Sequence, residues 1–166
     1  FSFFWFTYLG SQIGEDYIAA NAILINLVFL SAFILDAYAF STEGIVGYSL
    51  GKKDLNLFKN IVKNSFILSS ISGLIISIIF FFTYNLVINL MSDINEIREL
   101  SSSYAVWLII LPVISSFCYQ FDGIFIGASQ TKELRNAMIF SVFSYLLISI
   151  LLIKFLFNTG IWISLC

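Results

Sequence analysis

Three carboxylates, Asp36, Glu43 and Asp122, stand in stretches that are otherwise strongly apolar. An acid placed in hydrocarbon costs several kcal/mol, so it faces a bundle interior or a water-filled cavity. Asp36 and Glu43 are seven residues apart, which on a helix leaves them roughly 20° apart on one face and about 10 Å apart along the axis. Glu43 precedes Lys52 by nine residues, and Asp122 precedes Lys132 by ten. If both helices leave the membrane on one side, Glu43 and Asp122 are expected at about the same depth. Two acids at one depth on neighbouring helices can share a proton or hold a cation. The plainer role for each is a neutral, hydrogen-bonded packing group, or an acid in a wet vestibule. Tyr38, Tyr119 and Gln120 bring hydroxyl and amide groups close by, suited either to a substrate cavity or to satisfying the carboxylates.

The elements that must position these groups are membrane helices. Of the 166 residues, 60% are hydrophobic and 11% charged, with a mean hydropathy of +0.97. Soluble domains carry about 25% charged residues, so there is too little charge here to cover a water-facing surface. A span needs about 20 apolar residues. Candidates are a partial span over 1–9, then 18–50, 66–90, 104–128 and 137–157, and a sixth beginning near Ile161. A polar break at 10–16 follows the first, and Asn21 and Asn26 are expected at the membrane interface. The breaks are short, so consecutive helices run antiparallel. Basic residues mark the cytoplasmic side. Lys52, Lys53, Lys59, Lys63, Lys132 and Arg135 fall on one side of the alternation, six of the eight basic residues. Lys154 sits near the outer end of its span and can snorkel to the interface.

Other chemistries are poorly provided for. With no histidine, an imidazole metal site or a histidine base is impossible, and no nucleophile stands beside a base. Gly51-Lys52-Lys53 lacks the earlier glycine and the following Ser/Thr of a phosphate-binding loop. A net charge of −2 argues against a nucleic-acid partner. Cys118 and Cys166 have no CxxC spacing and are expected to be buried small hydrophobes. Phe80-Phe81-Phe82 is expected to face lipid. Gly123 and Gly127, with Gly44, Gly47 and Gly51, have the spacing that lets helix backbones approach closely. The chain opens on Phe1 within an aromatic run and closes on what reads as the start of a span, and is expected to be a piece of a longer membrane protein.

The blocks around the acids carry a resemblance. Ala20-Asn21-Ala22-Ile23-Leu24 leads to Leu35-Asp36-Ala37-Tyr38-Ala39-Phe40 and Glu43-Gly44, and Phe121-Asp122-Gly123-Ile124-Phe125-Ile126-Gly127-Ala128 is followed by Thr131-Lys132-Glu133-Leu134-Arg135-Asn136. Together they resemble the multidrug and toxic compound extrusion (MATE) family, in its DinF-like branch. The resemblance implies an all-α, polytopic transmembrane helical bundle. Residues 1–166 would form the C-terminal six-helix lobe of a twelve-helix transporter, truncated at both ends, from the end of helix 7 to the start of helix 12. It implies a secondary active antiporter of the cell membrane, exporting organic, often cationic or amphipathic, compounds in exchange for H⁺ or Na⁺. The family's helix-10 acid falls on Asp122, and Glu43 and Asp36 are further coupling candidates. In the DinF-like branch the coupling Asp is thought to lie in the N-terminal lobe. No enzymatic activity, metal or cofactor is expected beyond the coupling ion. The implied partners are the lipid bilayer, a small organic substrate and the N-terminal lobe of the same polypeptide. The alternatives are a lipid-linked oligosaccharide flippase of the wider superfamily, an intramembrane enzyme, for which the residues are lacking, and a passive structural subunit, which leaves three buried acids unexplained.

Overall fold

The computed structural model describes residues 2–166, and these are almost entirely helical. Six elements follow in order: α1 (Ser2–Ile13), α2 (Glu15–Gly51), α3 (Leu55–Met91), α4 (Asn95–Tyr104), α5 (Val106–Gly127) and α6 (Thr131–Leu165). Four of them, α2, α3, α5 and α6, are long and apolar enough to cross a membrane. The protein is thus an all-α helical membrane bundle, as the apolar runs predict.

Local chemistry sets the breaks. Gly14, in an extended conformation, separates α1 from α2. At the other end of α2, Lys53 takes a left-handed φ of 56°, and Asp54 caps α3 by accepting hydrogen bonds from the backbone N–H groups of Asn56 (3.1 Å) and Leu57 (2.9 Å). That satisfies two of the four N–H groups that a helix start leaves free. Arg98 on α4 closes the opposite end of α3, donating to the carbonyls of Ser92 and Asn89. Ala105 between α4 and α5 keeps a right-handed helical backbone, so the chain passes from one to the other with little change of direction.

Phe157 interrupts α6 with φ 48° and ψ −130°. The limb 131–156 ends there, and the limb 158–165 folds back on it. A Cβ on Gly160 would stand 2.6 Å from the carbonyl carbon and oxygen of Leu152, a contact impossible in a straight helix where eight residues span about 12 Å. Joining α4 to α5 and splitting α6 gives the six consecutive segments expected from the sequence.

Helix α5 is the hub, packed on α2 on one side and α3 on the other. Small residues make both seams. On α3, Ser69, Gly73, Ser77 and Phe80 are buried, spaced three or four apart and hence on one face. A Cβ on Gly73 would lie 2.8 Å from the Pro112 carbonyl oxygen. Pro112 lacks an N–H and removes one helical hydrogen bond from α5, and Ser77 donates to the neighbouring carbonyl of Ile109 at 2.5 Å. Phe80 therefore departs from the expectation for its run. It is buried on the α5 side, whereas Phe81 and Phe82 are exposed.

Candidate functional site

The three acids are set by the seam between α2 and α5. A Cβ on Gly123 would collide with the Ala39 carbonyl oxygen, and one on Gly127 would stand 2.5 Å from that of Glu43. Only hydrogen fits at these two crossings, so the GxxxG serves close packing. Gly47 meets the Gly127 carbonyl at an ordinary 3.4 Å, while Gly44 and Gly51 face open space and take no part in the seam.

These contacts fix the register. Ala39 is level with Gly123 and Glu43 with Gly127, so α2 and α5 run parallel with a constant offset. Asp122 is then level with Tyr38. Asp36 lies two residues from that level, about 3 Å, and Glu43 five residues, about 7.5 Å. The equal depth expected for Glu43 and Asp122 is therefore corrected: Asp36 is the near neighbour. The reason is the helix ends. Helix α2 continues to Gly51, directly before Lys52, but α5 stops at Gly127, and Ala128, Ser129 and Gln130 intervene before α6 begins at Thr131. Counting back from the lysines misses that turn.

Asp36 and Asp122 are both half-buried and close enough for their charges to interact, and Tyr119 lies within electrostatic reach of both. Asp122 and Tyr119 line a cavity of about 280 Å³ together with Ser115, Cys118, Leu165 and Cys166. The second limb of α6 thus closes over the acid of α5. Both cysteines are exposed, against the expectation of burial. Glu43, also half-buried, stands on the same face of α2 as Asp36 but nearer the lysine-rich end.

The other two cavity candidates lie elsewhere. Tyr38 points towards α3, where its hydroxyl accepts a hydrogen bond from Ser72 (2.8 Å), and it lines a groove between α2 and α3. Gln120 is fully buried where α2, α3 and α5 meet, with its Oε1 2.9 Å from Thr42 Oγ1. Thr42 also donates to the Tyr38 carbonyl (2.8 Å), and Gln120 Nε2 has no partner among the described residues. Exchanging the amide atoms would let Thr42 donate to Tyr38 and accept from Gln120. In either orientation one amide group stays buried and unpaired. Gln120 is a seam residue and does not line the acid cavity.

One polar cluster escaped the sequence reading. Asn21 and Asn158 exchange hydrogen bonds of 2.7 and 3.1 Å, and Trp162 Nε1 donates to Asn21 Oδ1 at 3.0 Å. All three are buried, so Asn21 is not at the interface. The cluster ties the start of α2 to the reversal in α6. Its members are 137 and 141 residues apart, and only the presence of asparagine and tryptophan in apolar runs hinted at it.

A family model described as MatE matches residues 1–165. The chain belongs to the MatE family. Among relatives, DNA damage-inducible protein F of Escherichia coli (strain K12) is 32% identical over 159 residues, covering 96% of this chain and 34% of that protein. This MatE chain therefore spans about a third of the length of the curated relative it matches, and the resemblance to the DinF-like branch stands. No solved structure matches. With four apolar spans and membership of a transporter family, the MatE chain is a multi-pass membrane protein.

Proposed function

We propose that the MatE chain is the C-terminal lobe of a secondary active exporter in the cell membrane. It would move organic, often cationic or amphipathic, compounds outward in exchange for H⁺ or Na⁺, with Asp122 and Asp36 as the acids that hold the coupling ion. The observation that carries this reading is the placement of two half-buried carboxylates within two residues of one level, on helices whose seam admits no side chain. Two like charges in a medium of low dielectric repel strongly. A proton or a sodium ion between them relieves that repulsion, and its departure restores it. The backbones of α2 and α5 touch at Gly123 and Gly127, so a change in repulsion at this level acts directly on how the two helices sit. Alternating access in such transporters rocks one bundle against another around a site near the midplane. Tyr119, which lines one cavity with Asp122, is suited to donate a hydrogen bond to its ionised carboxylate. Glu43, nearer the lysine-rich end of α2, is suited to an entry or exit vestibule.

The test is efflux of a fluorescent organic cation from cells carrying the full-length transporter under an imposed ion gradient. Asp122→Asn keeps size and much of the hydrogen bonding but loses the charge, and should lower efflux at least tenfold at equal protein level. Glu43→Gln should have a smaller effect. Wild-type efflux by Asp122→Asn would reduce Asp122 to a packing group and move the coupling site to another part of the transporter.

A further inference from the structure

A groove of about 360 Å³ opens between α2 and α3 toward the lysine-rich turn, on the far side of α2 from the acids. Its polar lining is Tyr38 and Thr42, both hydrogen-bonded within the bundle, and Ser41, Asn60, Asn64 and Ser65, with Ile61 and Leu68 beside them. The side chains of Ser41, Asn60, Asn64 and Ser65 make no hydrogen bond among the described residues. Asn60 and Asn64 are exposed, so their amides are free to bond a group that enters the groove.

Depth and charge point to what that partner is. Helix α3 has 37 residues, about 55 Å of helix, against roughly 20 residues for the hydrocarbon core. Its apolar run begins at Phe66, so residues 55–65 lie at headgroup level. Lys63 follows Asn60 by three residues, which sets it beside Asn60 on α3 at the rim of the groove. Across the turn, Lys52 is held with its ammonium 4.5 Å from the Tyr48 ring centroid. With Lys53 and Lys59 there are four cations at this end, against one acid, Asp54, whose carboxylate is engaged in capping α3. The Arg98–Asp93 pair is the only salt bridge among the described residues, so none of these lysines is neutralised by the chain. Toward the bilayer centre the groove turns apolar at the exposed Leu68.

We propose that this groove is a binding site for an anionic phospholipid of the lysine-side leaflet. The phosphate would sit between Lys52 and Lys63, the amides of Asn60 and Asn64 would donate to phosphate or ester oxygens, and an acyl chain would follow Ile61 and Leu68. Basic pockets between spans on the cytoplasmic side bind anionic headgroups in this manner, with roughly a fivefold gain per lysine. The site is independent of the exchange mechanism proposed for the acids.

The experiment uses the full-length protein in nanodiscs and measures retention of phosphatidylglycerol against phosphatidylcholine of the same acyl chains by native mass spectrometry. The wild type should retain phosphatidylglycerol preferentially, and Lys52→Gln with Lys63→Gln should lower that retention about 25-fold. Lys132→Gln with Arg135→Gln, in the other basic turn, should leave it unchanged. Asn60→Leu with Asn64→Leu should weaken it with all lysines in place. Inorganic phosphate in millimolar excess should not displace the lipid, because it lacks the acyl contacts. Equal retention of the two lipids by the wild type, equal losses from the two basic turns, or displacement by phosphate alone would overturn the proposal. So would protection of Asn64→Cys from a lipid-soluble thiol reagent by another segment of the protein.

Discussion

Replacing Gly123 by alanine perturbs the seam on which the acid pair depends. The added Cβ would collide with the Ala39 carbonyl oxygen and lie 2.9 Å from its carbonyl carbon and 3.0 Å from its Cα. All three atoms are backbone, so no side chain can swing away, and α2 must retreat by about 1 Å to restore an ordinary contact. Forcing one extra carbon into a packed site costs roughly 1–3 kcal/mol, and a backbone clash belongs at the upper end. Alanine returns about 1 kcal/mol of helix propensity relative to glycine. The net expectation is about 2 kcal/mol of destabilisation. Gly44 supplies the internal control, because a Cβ there meets nothing within 4 Å, and Gly44→Ala should be stabilising by up to about 1 kcal/mol. The two variants should therefore differ by about 3 kcal/mol. The assay is equilibrium unfolding of the full-length protein in mixed micelles, with efflux measured alongside. A 1 Å retreat of α2 would also lengthen the 2.9 Å contact between Thr42 and Gln120 beyond hydrogen-bond range and move Asp36 relative to Asp122. Gly123→Ala should thus lose transport beyond its loss of folded protein. Equal stability of the two variants, or full efflux by Gly123→Ala, would refute the argument that backbone contact at this crossing sets the pair.

Other consequences are as direct. Asn158→Leu leaves Asn21 buried with one partner fewer and should cost about 1–3 kcal/mol in the same unfolding assay, whereas pairing it with Asn21→Leu should recover part of that loss. Cys118 is exposed beside Asp122 in one cavity, so a bulky thiol reagent on Cys118 should inhibit efflux in a Cys166→Ser background, and substrate should slow the labelling; an equal labelling rate with and without substrate would separate the cavity from transport. A cysteine at Asn56, in the first turn of α3, should resist membrane-impermeant reagents added outside intact cells and react once the cells are opened. Ready labelling from outside would invert the topology.

Most of the fold was legible because membrane helices declare themselves by apolar runs. The reversal in α6 was visible as the gap between Phe157 and Ile161, although Phe157 is an unlikely residue for a left-handed backbone. The face of α3 was misjudged: Ser69, Gly73 and Ser77 recur at helical spacing and lead to Phe80, so the phenylalanine run, expected to face lipid throughout, divides between core and membrane. What the sequence did not carry was register. The depth of Glu43 relative to Asp122 depends on how many residues each turn consumes, and the two turns differ. Partnership across the bundle was hidden for the same reason. Nothing local joins Asn21 to Asn158, and nothing local says that Gln120 faces Thr42 while Asp122, two residues on, faces the second limb of α6. Cys118 and Cys166 were misplaced because apolar neighbours in sequence do not imply burial in a helix whose outer face meets a cavity.

The central claim is that Asp36 and Asp122 act as one ion-holding unit, and a double-mutant comparison addresses it. Efflux driven by an imposed ion gradient would be measured for Asp36→Asn, Asp122→Asn and the two combined, at equal amounts of folded full-length protein. Groups that act as a unit are strongly non-additive. Each single variant should lose at least tenfold, and the double variant should be no worse than the weaker single one. Losses that multiply in the double variant would show two independent sites, and wild-type efflux in either single variant would contradict the pairing outright.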